Sequence, residues 1–124
     1  MPTTVPTIDE FTTAYIKALL WAENDESTPQ GGRPLDDNYT IDDLAPEALA
    51  KCVADCQLFQ RENAADLAAR ETDRGGIDLL LTRNRHGAGY WDGDWPDAEG
   101  TRLTAAADRL GEVSPYVVDG RIYL

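Results

Sequence analysis

Gly75-Gly76-Ile77-Asp78-Leu79-Leu80-Leu81-Thr82-Arg83 is the run on which the fold turns. Paired glycines commonly close a helix. Ile77, Leu79 and Leu81 then alternate with Asp78, Leu80 and Thr82, as along a strand with one buried face. The turn-like Asn84-Arg85-His86-Gly87-Ala88-Gly89 follows, and Tyr90-Trp91-Asp92 reads as a returning strand. The economical expectation is a central β-hairpin.

Upstream of that run, Leu49, Cys52, Val53, Cys56, Phe59, Leu67 and Ala68 lay an apolar stripe along a predicted helix that reaches about Thr72. Pro46 suits its first position, and Glu47 favours the same end through the helix dipole. Before it come a short helical turn at Ile41-Asp42-Asp43-Leu44 and a Pro-, Gly- and acid-rich stretch over 25–40 without apolar periodicity, read as a long loop. The first helix opens on the capping-box pattern Thr7-Ile8-Asp9-Glu10 and carries Phe11, Tyr15, Ala18, Leu19 and Ala22 on one face to near Asn24. Downstream, Thr101 reads as the cap of a helix bearing Leu103, Ala106, Ala107 and Leu110, ended by Gly111. Asp119-Gly120, between Tyr116-Val117-Val118 and Arg121-Ile122-Tyr123-Leu124, is the strongest short hairpin signal in the chain. The expected fold is α+β: two N-terminal helices, a β-hairpin, a third helix and a C-terminal β-hairpin forming a small antiparallel sheet, in one acidic domain over 1–124.

A chain of 124 residues suits one hydrophobic core. Its 23 Asp and Glu against 11 Lys and Arg give a net charge of −12. Such a surface repels nucleic acid and anionic membranes and steers basic partners toward it. The excess is uneven, because residues 1–60 hold 11 acids and 3 bases while 61–124 hold 12 and 8. No stretch approaches the roughly 20 apolar residues of a membrane span, and the first residues lack a basic-then-apolar leader. Retention in the cytoplasm is expected.

The residues that carry chemistry are few. Cys52 and Cys56 share a helix face and read as buried thiols of a reducing compartment, since two cysteines complete neither a disulfide framework nor a zinc site. His86 is the only histidine, and no nucleophile elbow surrounds Ser27 or Ser114. No catalytic set, cofactor or metal is expected, and Asp92-Gly93-Asp94-Trp95-Pro96 does not follow a calcium loop. Arg83, Arg85 and His86, with Tyr90 or Trp91 as a stacking wall, are the densest positive spot and a candidate anion or nucleotide site. Trp21 is expected in the core, and Trp95, before Pro96, partly in solvent as a partner anchor. Glu23, Asp25, Glu26, Asp36, Asp37, Asp42 and Asp43 gather around the long loop of the acidic half as candidate partner-binding residues.

The segment Leu81-Thr82-Arg83-Asn84-Arg85-His86-Gly87-Ala88-Gly89-Tyr90-Trp91-Asp92 resembles the signature of a family of small bacteriophage and prophage proteins. The resemblance extends to 15–21, to 34–46 and to the final hairpin. Members usually carry Gly where this chain has Arg85 and often Phe where it has Tyr90. What the resemblance implies is a phage or mobile-element gene expressed inside a bacterium; it implies no activity and no cofactor. Small acidic phage proteins recurrently fill the nucleic-acid groove of a host defence enzyme, with carboxylates standing in for phosphates. The expected function is therefore an anti-restriction or anti-CRISPR type of inhibitor whose partner is a basic host protein or nucleoprotein complex. Two alternatives stay open, a small-anion or nucleotide-binding protein using the Arg83/Arg85/His86 turn and a non-inhibitory acidic or virion-associated protein. Oligomeric state is left undetermined, and adaptation to high salt is a further source of acidity that 2 Lys against 9 Arg does not exclude.

Overall fold

Asp9 starts the first described helix, its carboxylate accepting the Thr12 N–H at 2.8 Å. The computed structural model describes residues 8–27 and 32–124. Thr7, expected as the cap, lies outside the described residues, and the side chain that caps the helix is Asp9. Helix α1, Glu10–Ala22, buries Phe11, Tyr15, Ile16, Ala18, Leu19 and Leu20. Trp21 falls on the opposite face and is 46% exposed, which corrects its expected place in the core.

The stretch expected to be a structureless loop carries short regular elements. Strands β1, Asn24–Asp25, and β2, Arg33–Pro34, form a two-residue antiparallel ladder. Two 3-10 turns follow, Leu35–Asp37 and Ile41–Asp43. The second turn has the capping box that the sequence reading overlooked: Asp42 N–H donates to the Thr40 hydroxyl, and Asp43 accepts the Thr40 N–H at 2.7 Å. Leu35 and Leu44 bury and pin these turns to the core.

Helix α2, Pro46–Leu67, begins at Pro46 as expected but ends about a turn short of Thr72. Near its end Asn63 leaves the helical conformation, and its side chain donates to the Phe59 carbonyl at 2.9 Å. Inserting a side chain into the backbone ladder is a recognised cause of a kink.

The main correction falls on the deciding run. Residues Thr72–Arg83 form a helix, α3, and Tyr90-Trp91-Asp92 is part of a turn, so the central hairpin is absent. Gly75 and Gly76 do not stop a helix; they let α3 lie against α1. A Cβ on Gly76 would overlap the Phe11 carbonyl, and one on Gly75 would sit 3.0 Å from the Phe11 ring. Each glycine costs about 1 kcal/mol in a helix interior, an amount that close packing offsets here. Alternation misled because Asp78, Leu80 and Thr82, assigned to an outer strand face, are as buried as Leu79.

Helix α4, Asp97–Leu110, starts after Pro96, so Thr101 lies inside it, its hydroxyl donating to the Asp97 carbonyl at 2.8 Å. Asp97 and Glu99 complement the N-terminal dipole there, a role the expected later start had hidden. Gly111 ends the helix with φ of 77°, as expected. Strands β3, Tyr116–Val118, and β4, Arg121–Tyr123, form the predicted hairpin, and Ala45 N–H donates to Ile122 O at 2.8 Å, tying β4 to the start of α2. The class is α+β: among the described residues, four helices with two separate short antiparallel ladders.

One aromatic series runs through the core. Phe11, Phe59, Tyr90 and Trp95 follow one another at centroid separations of 6.3, 5.9 and 5.1 Å. It joins α1, α2 and the segment before α4.

Candidate functional site

Two regions hold most of the residues singled out from the sequence, with Glu23, Asp25 and Glu26 lying before the first, and the structure uses the two in opposite ways. In the first, Pro34 to Glu47, the two 3-10 turns and the first turn of α2 raise acids on short, anchored segments. Asp36 and Asp42 are exposed, as is Glu47, which the sequence reading had credited only with a dipole role. No base occurs between Arg33 and Lys51. The other acids of the set are engaged. Asp37 accepts from the exposed Arg33 at 3.0 Å, and Asp43 completes the capping box. Asp25 is buried, taking the N–H and hydroxyl of Ser27 at 2.8 and 2.5 Å. Glu23 caps the C-terminus of α1, and its carboxylate meets Nε2 of His86. Glu26 is exposed.

Most of these carboxylates sit where helix starts want negative charge, within the first turn of a helical segment. That local role explains their positions. It does not neutralise them, and the strip keeps a net negative charge facing solvent.

The second region, Leu81 to Asp92, is largely consumed by the fold. Arg83 is 2% exposed, and its guanidinium donates to Gly111 O at 2.7 Å, Leu110 O at 3.2 Å, Tyr15 Oη at 3.0 Å and Asp55 at 3.0 Å. It therefore caps the end of α4 while joining α1 and α2. Burial pushes the Tyr15 hydroxyl well above its ordinary pKa although the guanidinium opposes it. Asn84 clamps Val113 in both directions, at 2.9 Å each. The Thr82 hydroxyl accepts the Tyr90 N–H at 3.1 Å, and Gly89 lies so close to Thr82 that a Cβ there would overlap that hydroxyl. Tyr90 donates its buried hydroxyl to Gly75 O at 2.6 Å.

Of the candidate anion site, Arg83 and Tyr90 thus serve packing. Arg85 reaches solvent with Glu112 at 3.9 Å, His86 leans on Glu23, and Trp91 is 56% exposed. One groove, of about 330 Å³, has Tyr90 and Trp91 of that set in its wall with Thr101, but not Arg83, Arg85 or His86. Another, of about 490 Å³ between α1 and α3, is lined by Ala14, Lys17, Trp21 and Ile77 among others.

Trp95 is the tryptophan whose expected exposure is overturned. It is buried, and its indole N–H donates to the carboxylate of Asp78 at 2.7 Å. Burial raises the Asp78 pKa above 3.8, against the lowering effect of that hydrogen bond and of Arg74, while Asp92 and Asp94 add to the rise. Cys52 and Cys56 are buried free thiols, as expected, with burial pushing Cys52 up to about 12 and Cys56 higher still. Such thiols are poor nucleophiles and poor metal ligands. Among the described residues no three His, Cys, Asp or Glu side chains converge as a metal-ligand set, and no helix is long and apolar enough to cross a membrane.

Comparison with protein-family models, with curated proteins and with solved structures finds no match for the chain.

Proposed function

We propose that this chain is an acidic inhibitor that occupies the nucleic-acid groove of a cationic host defence protein, of the anti-restriction or anti-CRISPR kind that its phage-like signature suggests. The observation that carries the reading is the strip from Asp36 to Glu47. Asp36, Asp42 and Glu47 stand exposed on turns held down by Leu35 and Leu44, with no base in the sequence between Arg33 and Lys51. Carboxylates fixed on anchored turns lose little freedom on binding, and a groove built for phosphates meets them with the same charge-assisted hydrogen bonds.

Elsewhere the balance is different. Arg70, Arg74 and Arg102 each lie within 4 Å of an acid of the second half, and Arg83 within 4 Å of Asp55 in the first, so these bases are spent on internal ion pairs. The anion-binding alternative has lost two of its five side chains to internal packing, Arg83 and Tyr90, and no observation now favours it over the acidic strip.

Affinity capture from a bacterial lysate at low and at high salt tests the proposal. A nucleic-acid-binding protein that is retained at low salt, released by added salt, and prevented by the chain from binding DNA or RNA is the expected result. Asp36→Lys with Asp42→Lys should abolish that capture without unfolding the chain. Retention of the same partner by the double variant sinks the proposal, and capture of virion components alone favours the non-inhibitory reading.

A further inference from the structure

Two of the four exposed large apolar side chains among the described residues, Tyr116 and Val118, sit on the three-residue strand β3. The hairpin register fixes which backbone groups that strand has left over. Asp119 and Gly120 have φ of 51° and 76°, the left-handed pair of a two-residue type I′ turn. Val118 and Arg121 flank the turn and exchange hydrogen bonds, as do Tyr116 and Tyr123 two residues on. Val117 and Ile122 face each other without bonding, so their N–H and C=O groups point away from the hairpin. On the β4 side the Ile122 carbonyl is taken by Ala45 N–H. On the β3 side neither backbone group of Val117 has a partner among the described residues.

We infer that β3 is a docking edge on which an extended segment of a cationic partner chain adds as a further strand, bonded to the free N–H and C=O of Val117. Backbone groups of this kind select a strand as the occupant. Charge selects which strand. Residues 113–118 carry no charge and are bracketed by Glu112 and Asp119. Among the described residues Glu112 meets Arg85 alone, at 3.9 Å, and Asp119 is exposed at the hairpin tip. A segment with aromatic or β-branched residues at its centre and Lys or Arg at both ends matches that pattern, placing apolar side chains against Tyr116 and Val118. A second copy fits less well. It brings another net charge of −12, and Pro115, which has no N–H, limits the edge that two copies share.

The inference rests on the reading of the partner as cationic, but it concerns a different part of the surface. The same small sheet contacts the acidic side through Leu44, which bridges to Ile122. Two strand spacings of roughly 4.8 Å therefore separate the free edge from the turn that carries Asp42.

A blocked nonapeptide of sequence KRTVYVTRK provides the test. Titrated into the isotopically labelled full chain, it should shift the Val117 amide signal and slow its hydrogen exchange. N-methylation of the three central amides of the peptide should weaken binding about tenfold, the size of one net backbone hydrogen bond at the upper end. Val118→Lys should weaken it to a similar extent by placing like charge on the edge, whereas Val118→Glu should not. Both are exposed-site changes, so the chain stays folded for the comparison. Binding that ignores N-methylation and Val118→Lys but is lost with Asp36→Lys and Asp42→Lys overturns the edge while leaving the acidic strip intact. Equal binding of a neutral-flanked analogue, QSTVYVTSQ, overturns the cationic occupant. Self-association of the chain through the Val117 amide at micromolar concentration overturns the foreign-strand assignment, and absence of any peptide-induced change at Val117 overturns the docking edge itself.

Discussion

The acidic strip from Asp36 to Glu47 and the turn from Leu81 to Asp92 are both rich in polar residues, yet one spends them on solvent and the other on the fold. In the strip, Asp36 and Asp42 face water from turns whose apolar residues point inward. In the turn, Thr82, Arg83 and Asn84 hold backbone groups of other segments, and Tyr90 reaches back to Gly75. A dense local motif therefore marks a packing device here, and the plainer stretch of acids is the accessible chemistry. The way to break this contrast is to show that the turn tolerates substitution or that the strip does not.

Arg83→Ala carries the largest expected effect. It leaves Asp55, the Tyr15 hydroxyl and the carbonyls of Leu110 and Gly111 short of a donor, and removing one partner from a buried charged network costs about 3–5 kcal/mol. Urea unfolding should register most of a small domain's stability lost. An Arg83→Ala chain within about 1 kcal/mol of wild type, the scale of an exposed ion pair, would show the arginine to be a surface residue after all.

Gly76→Ala comes next. In an ordinary helix the change is worth about 1 kcal/mol in favour of Ala, but here the methyl overlaps the Phe11 carbonyl, and backbone must move. A net loss of about 2–3 kcal/mol is expected from overpacking of this kind. Stabilisation instead would mean that α1 and α3 do not approach as described.

This glycine also shows where sequence reading stopped. Three boundaries were legible because their signals are local: Pro46 at a helix start, Gly111 at a helix end, Asp119-Gly120 in a type I′ turn. Residues 75–83 were not, because the glycines answer to Phe11, more than sixty positions away, and a helix buried on most sides shows no clear period. Trp21 and Trp95 exchanged their expected environments for the same reason. Trp21 belongs to an apolar run but points off the stripe, while the indole of Trp95 finds Asp78 only after α3 has packed. In the candidate site, acid identity was legible, but which acids remain available depended on partners such as Ser27, Thr40 and His86.

Asp78 gives a subtler contrast with the exposed acids. Its folded pKa is raised above 3.8, mainly by burial. Folded chain then holds this proton more tightly than unfolded chain, so the burden of its buried charge is present at neutral pH and is relieved as pH falls through the folded value toward 3.8. Asp9 and Asp66 run the other way, because their pKa values are lowered, and their stabilisation is lost as pH falls through those lower folded values. In Asp78→Asn the relief disappears. Paired denaturation curves should show wild type gaining on the variant as pH is lowered toward 3.8. A constant difference across that window would place Asp78 in a solvent-like setting.

The smallest stability effect belongs to the strip. Asp36→Lys with Asp42→Lys reverses two exposed carboxylates, and surface changes of this sort usually stay within about 0.5 kcal/mol. Each acid also sits at the start of a 3-10 turn, where its charge helps by a few tenths of a kcal/mol, about 0.3–1 for a favourable dipole contact. The midpoint of unfolding should therefore fall only slightly. A large fall would mean that these carboxylates hold the fold together as Arg83 does, and loss of partner capture in the double variant would then report unfolding. With the midpoint nearly unchanged, the same loss of capture isolates the negative field of the strip as what the partner recognises.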